Sequence, residues 1–341
     1  MSLQSWIKPL QQREHLPREE MRAAFTRIMQ GSESEEDLAS FLTALHEKRE
    51  TADEIAGAAE VMRSVMTLLP TERTVVVDTC GTGGTGSKIF NVSTAAAIVT
   101  AAAGVAVAKH GNRSVTSVSG SSDVLTALGV NILAPIKVIA RCLDELGLCF
   151  CFAPQFHPAM KYVAAVRKRL GIQTIFNLLG PLCNPAGAKF QVMGVGRPEL
   201  RPLLASALRQ LQTKRSVIVG GASDAEACGE LSLASDTEAI EITSDRQQEM
   251  VWSPADFGLP SAGFETMQID SAATSAALIR RVLAGEKGPP RDMVVLNAAA
   301  AIWIASPNLT LPAAATKASE AIDSGGAAEL LAKFAKMTNS P

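Results

Sequence analysis

Asp78-Thr-Cys-Gly-Thr-Gly-Gly-Thr-Gly-Ser-Lys88, followed by Asn91-Val-Ser-Thr94 and Lys109-His-Gly-Asn-Arg113, is the stretch that decides the fold. The β-branched run Thr74-Val-Val-Val77 precedes it and an Ala-rich helical pattern follows, so it reads as a strand, a glycine loop and a helix start. Such a junction offers backbone amides and the positive end of a helix dipole to a phosphate.

Two familiar phosphate motifs nearly fit. Gly81-x-Gly83-x-x-Gly86 matches the dinucleotide fingerprint, but that motif needs an acidic residue about 20 positions on to hold a ribose hydroxyl. That region reads Val105-Ala-Val-Ala-Lys109 and is basic. A nucleotide-triphosphate loop needs Gly-Lys-Ser/Thr, whereas here Gly86 is followed by Ser87 and then Lys88. A plain strand-helix turn would account for one or two glycines, with Asn91, Ser93 and Thr94 at positions favoured for helix capping. It does not account for Gly81, Gly83, Gly84 and Gly86 together with Lys109 and Arg113, which read as a backbone cradle backed by positive charge.

Outward from the loop, residues 1 to about 70 read as four helices and no strand. Leu16-Pro17 suits a helix start with proline in its first position, Ser34 with Asp37 resembles a capping box, and Thr51 can cap a helix reaching Met66. Beyond Thr74 the pattern alternates. Strands are expected at Thr74-Val77, Val105-Ala108, Cys149-Phe152, Phe190-Val195, Ser216-Val219 and Glu238-Ile242, with helices near 94–103, 123–128, 136–146 and 198–211. The fold class is therefore α/β: a small N-terminal helical domain plus a larger domain with a mostly parallel central sheet. Ligands in such sheets sit at the carboxyl ends of the strands. The boundary is expected at residue 70, leaving 71–341 to the α/β domain, and the tail from Pro312 to Met337 reads as two helices split at Ser324-Gly-Gly326.

The 341 residues suit one large or two unequal domains, and the core must be built from small aliphatics because aromatics make up only 4%. With 32 basic and 34 acidic residues, there is no electrostatic reason to expect nucleic-acid binding. The cysteines Cys80, Cys142, Cys149, Cys151, Cys183 and Cys228 lack the spacing of a zinc site and read as reduced thiols of a cytoplasmic protein. Cys149 and Cys151 fall in a buried strand and are expected on opposite faces. The start Met1-Ser-Leu-Gln-Ser-Trp6 has no basic segment leading into an apolar one, and the Ala-rich run Thr94 to Val107 is too short to span a bilayer, so no signal peptide or membrane is expected.

Gly81-Thr-Gly-Gly84, Asn91-x-Ser-Thr94, Lys109-His-Gly-Asn-Arg-Ser114, Ser119-Gly-Ser121-x-Asp123-Val-Leu125, His157-Pro-Ala-Met-Lys161 and Thr174-Ile-Phe-Asn-Leu-Leu-Gly-Pro-Leu-x-Asn-Pro185 follow one another between residues 81 and 185, and the similarity they carry runs in consistent order from about residue 10 to 335. This series resembles the anthranilate phosphoribosyltransferase family. The resemblance implies transfer of the 5-phosphoribosyl group from 5-phosphoribosyl 1-diphosphate to the amine of anthranilate, with release of pyrophosphate, in tryptophan biosynthesis. It also implies a homodimer formed through the helical domain, which helices within about 157–182 would complete, and Mg2+ as cofactor.

By position, the resemblance assigns the diphosphate donor to Gly81, Gly84, Thr85, Asn91, Val92, Ser93, Thr94, Lys109, Asn112, Arg113, Ser117 and Ser121. It assigns anthranilate to Gly81, Asn112, His157 and Arg167, with His110 and Met160 near the ring, and catalysis to Lys109, His110 and Asn112. Lys109 stands out because a lysine closing a phosphate loop has no equally good role in a core. Arg113 could instead pair with Asp123, Arg167 could belong to a solvated helix face, and His157 before Pro158 could cap a helix. Metal binding is assigned to Ser93 and Glu230, but here the chain departs from the pattern. Gly229 stands where the family has an acidic neighbour of Glu230, Thr85 where it has an aspartate, and Ile89 where it has a threonine. Fewer carboxylates weaken magnesium binding, unless Asp224 and Glu226 compensate. Two rival readings share the scaffold: a paralogue using another aromatic amine or a nucleobase, and a non-catalytic nucleic-acid-binding relative.

Overall fold

In a computed structural model the chain is described over residues 2–83, 88–113, 118–221 and 229–340; the expectations for Gly84, Thr85, Gly86, Ser117, Asp224, Glu226 and Cys228 lie outside them. Four helices open the chain: α1 (Gln4–Gln11), α2 (Arg18–Gln30), α3 (Glu35–Lys48) and α4 (Ala52–Val65). Their starts follow local chemistry. The Ser34 hydroxyl accepts from Asp37 N, and Thr51 and Glu54 make a reciprocal capping box. Pro17 occupies the cap position of α2, one residue earlier than expected.

The remaining elements are β1 (Val77–Asp78), α5 (Val92–Ala102), β2 (Val107–Gly111), α6 (Ser121–Ala127), α7 (Ile136–Arg141), β3 (Leu148–Phe152), α8 (Ala153–Phe156), α9 (Lys161–Leu170) and α10 (Ile175–Leu179). They continue with β4 (Phe190–Gly194), α11 (Arg201–Gln210), β5 (Arg215–Gly221), β6 (Thr237–Thr243), β7 (Gln247–Trp252), α12 (Ala272–Leu283), α13 (Pro289–Ala305), α14 (Leu311–Asp323) and α15 (Gly326–Thr338). The sheet order is β3-β2-β1-β4-β5-β6-β7, parallel through β5, with β6 and β7 antiparallel. The mostly parallel sheet was expected; β7 was not. Its sequence, Gln-Gln-Glu-Met-Val-Trp, lacks an apolar alternation because it is an exposed edge strand. β1 is also shorter and later than the β-branched run implied, since only Val77 pairs with neighbours on both sides and Asp78 with β4 alone.

The chain runs from β1 outward to β3 and then returns to β4 on the other side of β1, so the strand order reverses between β1 and β4. A crevice opens at the carboxyl ends of strands at such a reversal. There Gly81 bridges Gly194, and a Cβ on Gly81 would lie 2.5 Å from the Gly194 carbonyl oxygen. Gly81 is thus required by close backbone approach.

One apolar cluster packs α5, α12, α13, α14 and α15 on one face of the sheet. A second joins the N-terminal helices to Val163, Val166, Ile175, Phe176 and Leu179 of α9 and α10, with the Phe25 and Phe176 rings 5.4 Å apart. Cys149 and Cys151 hydrogen-bond side chain to side chain, contrary to the expected opposite faces. Two residues apart in a strand, they share a face. The five described cysteines are buried and unpaired.

Candidate active site

The site is assembled at the ends of β1 and β2. Lys109, near the end of β2, is almost wholly buried, and its Nζ donates to the Thr79 carbonyl (2.6 Å) and lies 3.3 Å from Ser93 Oγ. Burial lowers its pKa, against the pull of Asp78, Cys80 and Glu230. The sequence left no internal role for this lysine, yet the ammonium ties the end of β1 to the start of α5. It supplies positive charge beneath the crevice while being fixed in place.

Within Asn91-Val-Ser-Thr94 the amides are mostly spent. Val92 N donates to Phe90 O, Thr94 N to Asn91 O, and Asn91 N to Ser275 Oγ. Asn91 holds the cap position of α5 without capping it; its amide instead donates to Ser119 O and accepts from Ser275 Oγ. Val92 and Thr94 side chains are buried, and Thr94 Oγ1 has no partner among the described residues. Ser93 is what remains. Its N–H and hydroxyl meet the carboxyl of Glu230, so a carboxylate occupies the anion position at the start of α5. Burial raises the Glu230 pKa to about 7, opposed by Lys109 and Ser93.

Next to this cradle, residues 180–185 are stitched by side-chain hydrogen bonds to the sheet and to α4. Gln191 Nε2 donates to Pro181 O, Asn184 Nδ2 to Ala108 O, and Arg63 Nε to Leu182 O. Asp78, fully buried, accepts from His110 N and Cys80 Sγ; burial raises its pKa, while Asn184 and Lys109 oppose the rise. Asp78, Asn184 and Gln191 were not expected to bear on the site. Only a buried aspartate directly before the loop hinted at one of them.

His110 and His157 meet face to tilted face, with Nε2 atoms 3.2 Å apart. Since a carbonyl only accepts, His110 Nδ1 carries the proton given to Gly180 O, and its Nε2 is left to accept from His157. Burial, with mutual repulsion, lowers the His110 pKa to about 3; burial lowers that of His157 to about 4, with a weak opposing pull from the Cys183 backbone. Both ring nitrogens of His110 are therefore engaged within the protein, which suits a wall of the site better than a base. His157 precedes the turn Pro158–Met160 but does not cap it.

Arg167 is half-buried on α9, its guanidinium 5.3 Å from the Phe176 ring centre and 3.5 Å from Asn177 Oδ1. Among the described residues it has no carboxylate partner, whereas its neighbour Arg169 pairs with Glu35. Burial lowers its pKa. Asn177 and Gly180 lie about one helical turn apart, roughly 5 Å along the axis, so α10 links this guanidinium to the histidine pair. Asn112 and Arg113 follow the end of β2 and Ser121 begins α6: Arg113 N donates to Asn112 Oδ1, and Ser121 Oγ lies 3.4 Å from Asn112 O. Asp123 accepts from Gly120 N.

An anion cradle at the reversal point of an α/β sheet, together with a guanidinium that has no carboxylate partner among the described residues, on a helix packed with an N-terminal bundle, fits a glycosyltransferase that handles a phosphorylated sugar. Family profiles agree: "Glycosyl transferase family, a/b domain" matches residues 73–328, and "Glycosyl transferase family, helical bundle domain" matches residues 4–66. A curated anthranilate phosphoribosyltransferase of Rhodopirellula baltica is 44% identical over 321 residues, covering 94% of this chain and 93% of its own length. The crystal structure of the Thermus thermophilus anthranilate phosphoribosyltransferase aligns over 100% of both chains with a TM-score of 0.92 at 39% identity. The solved structure of the Saccharomyces cerevisiae anthranilate phosphoribosyltransferase in complex with PRPP and Mg aligns over 99% of this chain and 98% of its own, with a TM-score of 0.89 at 28% identity. The chain belongs to the anthranilate phosphoribosyltransferase family.

Proposed function

We propose that the chain transfers the 5-phosphoribosyl group from 5-phosphoribosyl 1-diphosphate to the amine of anthranilate, releasing pyrophosphate, and that the site just described carries the reaction. The observation that carries the acceptor assignment is Arg167: a desolvated guanidinium without a carboxylate partner among the described residues, on a helix joined to the crevice through α10. A carboxylate-bearing amine satisfies it, and a neutral nucleobase does not. The yeast relative is known in complex with 4-fluoroanthranilate, which supports the same acceptor class.

In this mechanism the diphosphate enters the cradle formed by Ser93 and the Gly81 backbone above Lys109. Loss of pyrophosphate leaves positive charge on the ribose and adds negative charge to the leaving group. The fixed Lys109 ammonium stabilises that negative charge without reorganising, and the Ser93 N–H, held by Glu230 in this structure, joins it once the Glu230 carboxyl turns from Ser93 to the metal-diphosphate. Arg167 holds the anthranilate carboxylate so that the amine faces the anomeric carbon. His110 and His157, held neutral, form an apolar-tolerant wall rather than a strong base. Asn112 and Arg113, after β2, suit the phosphate oxygens, and Ser121 suits the same end.

The residues present fit one magnesium ion. Ser93 and Glu230 bring a hydroxyl and a carboxylate into contact, and these two groups would hold the ion together with diphosphate and water oxygens. Among the described residues no cluster of three or more His, Cys, Asp or Glu forms a preassembled metal cage. When bound, Mg2+ neutralises diphosphate charge as the bond breaks. The same reading includes residues 1–70 with 157–182 as the helical unit, a homodimer through that unit, and a cytoplasmic location; no helix among the described residues is long and apolar enough to cross a membrane. The test is the fluorescence of anthranilate in the presence of donor and Mg2+: its loss, matched by pyrophosphate release, is expected. Absence of turnover at every magnesium concentration would refute the assignment.

A further inference from the structure

Helix α13 is apolar along most of its length, yet it buries the carboxamide of Asn297. All three hydrogen bonds of that carboxamide are to backbone. Leu231 N donates to Asn297 Oδ1 (3.1 Å), and Asn297 Nδ2 donates to Leu231 O (3.1 Å) and to Met293 O (2.9 Å). One side chain thus satisfies both backbone groups of Leu231, as a neighbouring strand would. The bond to Met293 fixes which end of the amide faces which group, because a carbonyl must receive a donor.

Leu231 is itself locked in the core, with 1% exposure, and it directly follows Glu230. Adjacent Cα atoms are about 3.8 Å apart, so fixing the Leu231 backbone restricts where the Glu230 carboxyl can reach. That carboxyl meets the N–H and hydroxyl of Ser93. The preceding residue, Gly229, adopts a left-handed conformation (φ 62°), and Gly194 leaves no room beside it: a Cβ on Gly194 would lie 1.7 Å from Gly229 O. The segment is therefore gripped on both sides of Glu230, by a backbone contact before it and by the Asn297 amide after it.

We propose that Asn297 is a positioning residue for the donor site, holding Leu231 so that Glu230 is presented to Ser93 and to the metal-diphosphate. The proposal rests on the reading of Glu230 as a metal-holding residue. Supporting groups behind a metal ligand change metal affinity by about ten- to a hundredfold when removed. Asn297→Leu keeps the branched heavy-atom skeleton but strips Leu231 of both partners.

Calorimetric titration of 5-phosphoribosyl 1-diphosphate, with and without MgCl2, decides the matter on wild type, E230Q, N297L and the double variant, with thermal unfolding measured alongside. N297L is expected to weaken donor binding by about tenfold in MgCl2, to leave metal-free donor binding unchanged, and to add nothing in the E230Q background. N297S, which puts a small hydroxyl in place of the carboxamide, is expected to fall between, and it decides the outcome if N297L does not fold. If E230Q weakens metal-dependent binding and the Asn297 variants do not, the positioning role is overturned and the metal reading stands. Should the Asn297 variants weaken binding equally with and without metal, or additively with E230Q, the residue is a general core staple and the proposal fails. A silent E230Q overturns both.

Discussion

The buried histidine pair makes a quantitative prediction about acid stability. In the unfolded chain His110 and His157 titrate near 6.5, whereas in the fold they remain neutral down to about 3 and about 4. Below pH 6.5 the unfolded chain binds protons that the folded chain refuses, so stability is fully present above that pH and is lost as pH falls toward 4. At pH 5 each histidine costs RT ln(1 + 10^1.5), or about 2 kcal/mol, against about 0.2 kcal/mol at pH 7. Together the pair removes about 4 kcal/mol, a large share of the roughly 5–15 kcal/mol that holds a domain folded.

Glu230 acts in the opposite direction. Its carboxyl, raised to about 7, takes up a proton in the fold before it does so in the unfolded chain, returning about 2 kcal/mol over the same interval. The informative quantity is therefore a difference between variants, in which Glu230 cancels. His157→Gln retains an amide donor for His110 Nε2 and cannot titrate. In urea unfolding followed by tryptophan fluorescence at pH 7 and pH 5, the variant should lose about 2 kcal/mol less than wild type between the two conditions. Equal losses would refute the reasoning, because they would mean that His157 charges in the fold as easily as in water.

Arg167→Ala should raise the Michaelis constant for anthranilate by about ten- to a hundredfold, the loss of one charged hydrogen bond of about 1.5–3 kcal/mol, with little change in that for the donor; steady-state kinetics in both substrates checks the split. Magnesium-dependent donor binding should weaken as pH falls through 7, because a protonated Glu230 cannot ligate, and E230Q should flatten the profile in calorimetric titrations. Gly81→Ala should lower both thermal stability and donor affinity, since its Cβ would meet the Gly194 carbonyl at 2.5 Å and the strand ends must part; an unchanged melting temperature with normal donor binding would contradict the close approach.

Much of this was legible in local chemistry. The caps at Ser34 and Thr51, the glycine loop and the strand-helix alternation follow from short-range preferences, and so the two-part α/β class could be read directly. β7 was invisible because an exposed edge strand needs no apolar alternation. The supports of the site were invisible for a different reason: Ser275 reaches Asn91 across 184 positions, and Asn297 reaches Leu231 across 66. Nothing in the neighbourhood of either residue announces such a contact. Lys109 was recognised for its charge, but its bonds to Thr79 and Ser93 depend on where the ends of β1, β2 and α5 converge. Arg167 shows the converse: its own segment Val166-Arg-Lys-Arg169 reads as a solvated face, only the family resemblance marks it in the sequence, and in the structure its packing against Phe176 and Asn177 sets it apart from Arg169.

The most direct test of the central claim is a crystal structure of the chain with 5-phosphoribosyl 1-diphosphate, Mg2+ and anthranilate bound. The account predicts the diphosphate against Ser93 above Lys109, a magnesium ion reached by Glu230, and the anthranilate carboxylate on Arg167 with its amine toward the anomeric carbon. A diphosphate bound away from the Gly81–Lys109 crevice, or an anthranilate carboxylate that leaves Arg167 empty, would contradict it.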